Sequence, residues 1–181
     1  SEEKGVQVLL SAWRRLGTAI PLKIAGDGPL APAVQAAAAQ NGAIQWLRAV
    51  PHECVYDLIG AAAFLIMPSQ CYEGALPRVV IEAFAKGTPV VVPRHGAMAE
   101  IVDGRNGLYF TSGDAEDLAS RVQRLHLEPS PLQQMRVAAR RTFERNFTAE
   151  ANHSALMAVY ADAIARYQGQ GLSGLEAASA T

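Results

Sequence analysis

The stretch PRVVIEAFAKGTPVVVP, residues 77–93, decides the architecture, because it joins a short amphipathic helix, a glycine stop and a strand with no polar face. Pro77 suits a helix start, where its missing N–H leaves no bond unmade, and Gly87 suits a helix end. The strand that follows, residues 89–93, is apolar at every position, so both of its faces need cover. That is the habit of a strand inside a parallel sheet flanked by helices. Residues 89–93 therefore read as the central strand.

Working outward, residues 64–67 (FLIM) read as a buried strand ending at Pro68, followed by a loop over 69–76. Upstream of it lie a helix over 52–62, a strand over 44–50 and an alanine-rich helix opened by Pro29. A strand over 22–25 precedes that helix and runs into the turn Gly26-Asp27-Gly28-Pro29. Val6, Leu9, Leu10, Trp13 and Leu16 recur at helical spacing ahead of it. Downstream, the pattern gives a short helix over 97–102, a turn at Asp103-Gly104 and a strand over 107–110. Asp114 then caps a helix carrying Leu118, Val122 and Leu125. Helices over 131–145 and 149–167 complete the fold.

The alternation predicts an α/β, Rossmann-like parallel sheet with helices on both faces, in one domain over residues 1–168. No internal repeat is visible. The Gly, Ser, Ala and Thr run over 169–181 has little to bury and is expected to be a disordered tail. In a sheet of this kind ligands bind beyond the carboxyl ends of the strands, which directs attention to the loops after Ala25, Met67 and Pro93.

Composition narrows the partners. Sixteen Lys and Arg against 17 Asp and Glu give a net charge of −1, too little field to hold a nucleic acid. Cys54 and Cys71 fit neither a metal-ligand spacing nor a disulfide framework, so a reducing, cytoplasmic compartment is expected. No apolar run approaches the roughly 20 residues that span a bilayer.

The chemistry is expected around CYEGALPRVVIEAF, residues 71–84, which sets Glu73 in a loop and Glu82 in a helix. Uncommitted amides at the first turn after Pro77 would attract a phosphate. Glu82, about one turn further in, is placed to accept two hydrogen bonds from a ribose diol.

These residues resemble the donor-binding, C-terminal domain of GT-B fold retaining glycosyltransferases, family 4, whose pattern is two glutamates ahead of a Gly-Thr-Pro strand entry. Glu3-Lys4-Gly5, Ala25-Gly-Asp-Gly-Pro29 and the AEIVDGRNG run at 99–107 resemble further elements of that family, in the same order. The resemblance covers nearly the whole chain. It implies that Lys4 meets the donor diphosphate, Glu82 the ribose, and Glu73 the transferred sugar or its phosphate, with Lys4 and Glu73 as the catalytic residues. It also places Gly26, Asp27 and Gly28 near the donor and the backbone of Gly74, Ala75, Leu76 and Pro77 at the sugar hydroxyls, while His95, just past the carboxyl end of the central strand, is expected to face the donor.

The implied reaction is retaining transfer from a nucleoside diphosphate sugar, with neither a cofactor nor an obligatory metal. The acceptor, a sugar or a lipid-linked sugar, would be held by an N-terminal domain of the same protein. Two departures stand out. Glu73 and Glu82 are separated by eight residues where the family has seven, the extra one being Ala75 or Leu76. The family's preceding strand, which ends in Gly-Arg, is not part of this sequence, so the first strand of the sheet is expected to be missing. Both departures are compatible with a rival reading, a non-catalytic nucleotide-sugar-binding or regulatory module of the same fold. An epimerase or phosphorylase on the same plan fits the two-glutamate loop less well. Arg136, Arg140, Arg141 and Arg145 form a basic stripe, expected to be a solvated face, with peripheral contact to the inner face of the membrane as the alternative.

Overall fold

The computed structural model describes residues 2–70 and 77–178. It divides into two units, Ser1–Phe143 and Glu144–Thr181. A 3₁₀ turn at Glu2–Lys4 opens the first, followed by α1 (Val6–Leu16), β1 (Leu22–Ala25), α2 (Ala31–Gln40), β2 (Ile44–Arg48), α3 (His52–Ala61) and β3 (Leu65–Ile66). Next come α4 (Arg78–Ala85), β4 (Val90–Pro93), α5 (Met98–Ile101), β5 (Gly107–Phe110), α6 (Ala115–Leu127) and α7 (Pro129–Asn146), which crosses the boundary between the units.

Every strand pairs in parallel. β4 lies between β3 and β5, all four of its residues are buried, and it is the central strand of its sheet. One hydrophobic core joins Leu22 and Ile44 of the β1–β2 pair to Val91, Leu108 and Phe110 of the other strands. α1 contributes Val8, Leu9, Leu10 and Trp13 from one face, and α6 contributes Leu118, Val122 and Leu125 at helical spacing. Trp13 is 1% exposed, and its indole N–H is satisfied by the carbonyl of Ile20 at 2.8 Å.

The sheet expected as one piece is two, a pair β1–β2 and a triplet β3–β4–β5. The amides of Leu65 and Met67 donate to Pro89 and Val91, at 2.9 and 3.1 Å. By the alternation of a parallel ladder, the amide and carbonyl of Ile66 point away from β4. This edge corrects the reading of residues 64–67 as a buried strand. Leu65 and Ile66 are only half-buried, because β3 has a strand beside it on one side alone among the described residues.

The arginine stripe on α7 is not simply a solvated face. Arg136 donates to the carbonyls of Ala62 (2.8 Å) and Ala63 (3.4 Å) through Nη1 and to that of Gly60 (3.4 Å) through Nη2, while Arg140 donates to Ala85. These carbonyls lie at or just beyond the last turns of α3 and α4. A helix end leaves its last carbonyls without partners and carries partial negative charge, so two guanidinium groups are drawn there.

The second unit is built on α8 (Ala149–Ala178), whose first turn is supported by the Thr148 hydroxyl accepting from Ala151 N–H at 3.1 Å. The helix expected to end near residue 167 thus continues into the segment expected as a tail. Ala, Leu, Gln and Glu intersperse the glycines there and no proline interrupts, so helix propensity is lowered but not abolished.

α6 is started by Asp114, whose carboxylate accepts from the amides of Glu116 and Asp117 at 2.8 and 3.0 Å. Partial burial opposes the ionisation of Asp117. Bonds from the Thr111 amide (2.7 Å) and hydroxyl (2.9 Å), together with Arg121 (2.9 Å), outweigh that and hold its pKa below the ordinary carboxylate value. A carboxylate depressed in this way stabilises the fold above its unfolded pKa and loses that contribution as pH falls through the folded one. Asp117→Asn should lower stability by about 1.5 kcal/mol near neutral pH. Urea unfolding at a series of pH values should show the gap to the parent narrowing below about pH 4.

Candidate functional site

α4 begins without a side-chain cap. Pro77 occupies the N-cap with φ −70° and ψ 117°, and its carbonyl accepts from Val80 N–H at 3.0 Å. The amides of Arg78 and Val79 precede the first intrahelical bond, so the helix start offers uncommitted donors. No acid stands in its first turn to neutralise them.

One turn into α4, Glu82 is 8% exposed. Its Oε1 lies 3.8 Å from Nε2 of His52 and 3.8 Å from Nη2 of Arg78, beyond hydrogen-bonding distance from both. Among the described residues no partner stands at Oε2. A carboxylate largely withdrawn from water and met only by through-space attraction keeps its capacity to accept hydrogen bonds.

A second cluster forms where the chain's start meets the carboxyl ends of β3 and β4. The carbonyl of Glu3 accepts from the Gln70 amide at 2.7 Å and from the Ser69 hydroxyl at 3.3 Å. Gly5 packs against Pro68 so closely, at φ 70°, that a Cβ there would stand 1.9 Å from the Pro68 carbonyl oxygen. Lys4, exposed at the end of the 3₁₀ turn, is carried beside this loop. Ser69 in turn offers its carbonyl to Nε2 of His95 at 3.1 Å. A carbonyl only accepts, so Nε2 bears a proton, and in the neutral ring Nδ1 is an acceptor. That Nδ1 is buried without a hydrogen-bond partner among the described residues.

The structure thus gathers Lys4 and His95 around residues 68–70. Pro77 and Glu82 are placed together on α4. Gly26, Asp27 and Gly28 are exposed at the end of β1, and their polar contacts run to β2 and to the turn itself. The Gly26 amide donates to Arg48 at 2.7 Å, and the Gly28 amide to the Asp27 carboxylate at 2.8 Å, so neither glycine N–H is left to cradle a phosphate. Glu73, Gly74, Ala75 and Leu76 lie outside the described residues.

Three residues take up contacts that no local sequence pattern announces. His52 approaches Glu82 only because α3 meets α4. Ser69, 1% exposed, was read only as the start of a loop. Arg48 adopts φ 58°, and its guanidinium stacks 4.4 Å from the ring of Trp46 at the end of β2. The resemblance-bearing pair Asn106-Gly107 has a scaffold role. Asn106 is 1% exposed and donates to Ile101 (2.8 Å) and Thr142 (3.2 Å), while a Cβ on Gly107 would meet the Val90 carbonyl oxygen at 2.5 Å. No grouping of three or more His, Cys, Asp or Glu that could hold a metal ion occurs among the described residues, and no helix there is long and apolar enough to cross a membrane.

A family model described as "Glycosyl transferases group 1" matches residues 1–128. The MMP alpha-(1->4)-mannosyltransferase of Mycolicibacterium hassiacum is 37% identical over 112 residues, which is 60% of this chain and 26% of that protein. The glycogen synthase of Mycobacterium tuberculosis is 29% identical over 165 residues, 87% of this chain and 39% of the relative. The chain therefore spans well under half the length of these two proteins. Among solved structures, the Anabaena Alr3699/HepE protein in complex with UDP superposes with a TM-score of 0.77 at 20% identity, covering 89% of this chain and 46% of that one. The sucrose-phosphate synthase of Thermosynechococcus elongatus superposes with a TM-score of 0.75 at 24% identity, covering 92% and 44%. At these identities the likeness speaks to the fold.

Replacing Gly5 tests the docking of the chain's start. Gly5→Ala should destabilise the protein by about 2 kcal/mol or more, since it combines a left-handed backbone with a backbone clash. Hydrogen exchange should then be faster at the Gln70 amide, whose acceptor is the Glu3 carbonyl.

Proposed function

The chain belongs to the group 1 glycosyl transferases, and we propose that it is the donor-binding, C-terminal half of a GT-B fold, family 4 retaining enzyme. In this reading it binds a nucleoside diphosphate sugar and transfers the glycosyl group to an acceptor held by an N-terminal domain of the same protein. The observation that carries it is Glu82, a buried carboxylate with an oxygen available to a ribose diol, one turn from a helix start with uncommitted amides.

The chemical demand of the reaction is to stabilise the charge that builds on the departing diphosphate. The amides of Arg78 and Val79 and the ammonium of Lys4 are the groups assigned to it, and Glu73 is assigned to the sugar. Neither a metal nor a cofactor is invoked. His95 adds an acceptor, Nδ1, for a donor hydroxyl. Gly26, Asp27 and Gly28 contribute the shape of the turn after β1 and not its glycine amides.

The edge of β3 that has no partner strand among the described residues, with the docking of Glu3 on Gln70, favours a further strand beside β3. It would complete the sheet and bring the family's Gly-Arg to the phosphate side. The eight-residue separation of Glu73 and Glu82 favours one alternative, a non-catalytic module that keeps affinity for the nucleotide sugar. Transfer by a longer protein carrying the N-terminal domain would decide for the enzyme.

Titration of the chain with UDP, GDP and ADP by calorimetry should show binding of at least one of them. Glu82→Ala should weaken that binding about tenfold, as expected for loss of a charged acceptor. Absence of binding to all three would sink the donor-site reading for this chain. Glycosyl transfer by these 181 residues alone is not expected, because in this reading the acceptor is held by another domain; turnover would overturn that part of the reading.

A further inference from the structure

We propose that His52 is a positioning residue that orients the Glu82 carboxylate for the ribose of the donor, an inference that rests on the reading of Glu82 given above. The two side chains nearest Oε1 of Glu82 differ in how they are held. Both side chains are exposed, Arg78 at 83% and His52 at 61%, but Arg78 comes from the same helix and reaches Glu82 on a long, flexible stem. His52 comes from α3, and its ring is set edge-on against Tyr56, with centroids 5.5 Å apart and planes at 85°.

α3 is itself fixed to the α4 region at several points. Lys86 pairs with Asp57 at 3.7 Å and stands 5.4 Å over the Tyr56 ring, and the Thr88 hydroxyl donates to Ile59 at 2.8 Å. His52 is therefore delivered to Glu82 from a braced element. Glu53 on α3 is the other charged neighbour in sequence.

The geometry separates attraction from occupation. At 3.8 Å the imidazole is too far to hydrogen-bond, yet close enough to restrict where the carboxylate can sit. Both His52 and Arg78 lie against Oε1, which biases the rotation of the carboxylate and leaves Oε2 turned to other donors. An imidazole at hydrogen-bond distance would compete with the ribose; one at this distance orients the acceptor without filling it.

The experiment is a set of calorimetric titrations of the whole chain with UDP, GDP and ADP, the tightest of them then compared with its 2′,3′-dideoxy form. His52→Ala should weaken binding of the ribonucleotide about threefold, the scale of an exposed polar contact, and His52→Lys should restore it. The dideoxy nucleotide, which has no diol to offer, should bind the parent and His52→Ala equally. In a Glu82→Gln background His52→Ala should have no further effect. Equal weakening toward the dideoxy form, or an undiminished effect beside Glu82→Gln, would overturn the proposal. If Glu82→Ala weakens binding and His52→Ala does not, only the role of His52 falls. If Glu82→Ala leaves binding unchanged, or no nucleotide binds, the ribose reading falls and this inference with it.

Discussion

The first unit depends on the burial of β4. Val90, Val91, Val92 and Pro93 are all removed from water, so each ladder bond on both edges and each packing contact on both faces has to be supplied by the protein. β3 and β5 supply the edges. Gly107 permits the closeness of β5, since any side chain would strike the Val90 carbonyl. The strand emerges from this enclosure at Arg94 and His95, so the loop that follows starts from an immobile point, which is where a binding group gains most from its scaffold.

From that fixed end, order passes outward by hydrogen bonds between loops. His95 holds Ser69, and Ser69 and Gln70 hold Glu3. Three segments far apart in sequence are thereby tied at the carboxyl side of β3 and β4. Glu82 is positioned by a different route, through α3 and α4. The candidate site is consequently supported by two sets of contacts, one of loop backbone and one of helix side chains.

Much of this was legible in the sequence where a single local rule applies. The apolar run 89–93 announced the central strand, Asp114 the start of α6, and Gly87 the end of α4. The acids and the Gly-Thr-Pro entry marked α4 as the candidate for chemistry. What escaped depended on partners distant in sequence. Residues 64–67 are apolar enough for a buried strand, but hydropathy does not say whether a second strand lies alongside. Asn106 was legible as part of a motif and not as the side chain that bonds the carbonyl of Ile101 at the end of α5. His52 sits thirty positions from Glu82 and looks like any polar residue opening a helix.

The arginines of α7 carry a consequence for how the molecule meets ions and surfaces. Counting formal charges assigns a positive strip to Arg136 and Arg140, but their guanidinium groups face carbonyls at the ends of α3 and α4, which carry about half a negative charge per helix terminus. Much of the positive potential of these two residues is spent within the fold. The effective valence that Arg136 and Arg140 present to an anionic surface is therefore smaller than composition suggests.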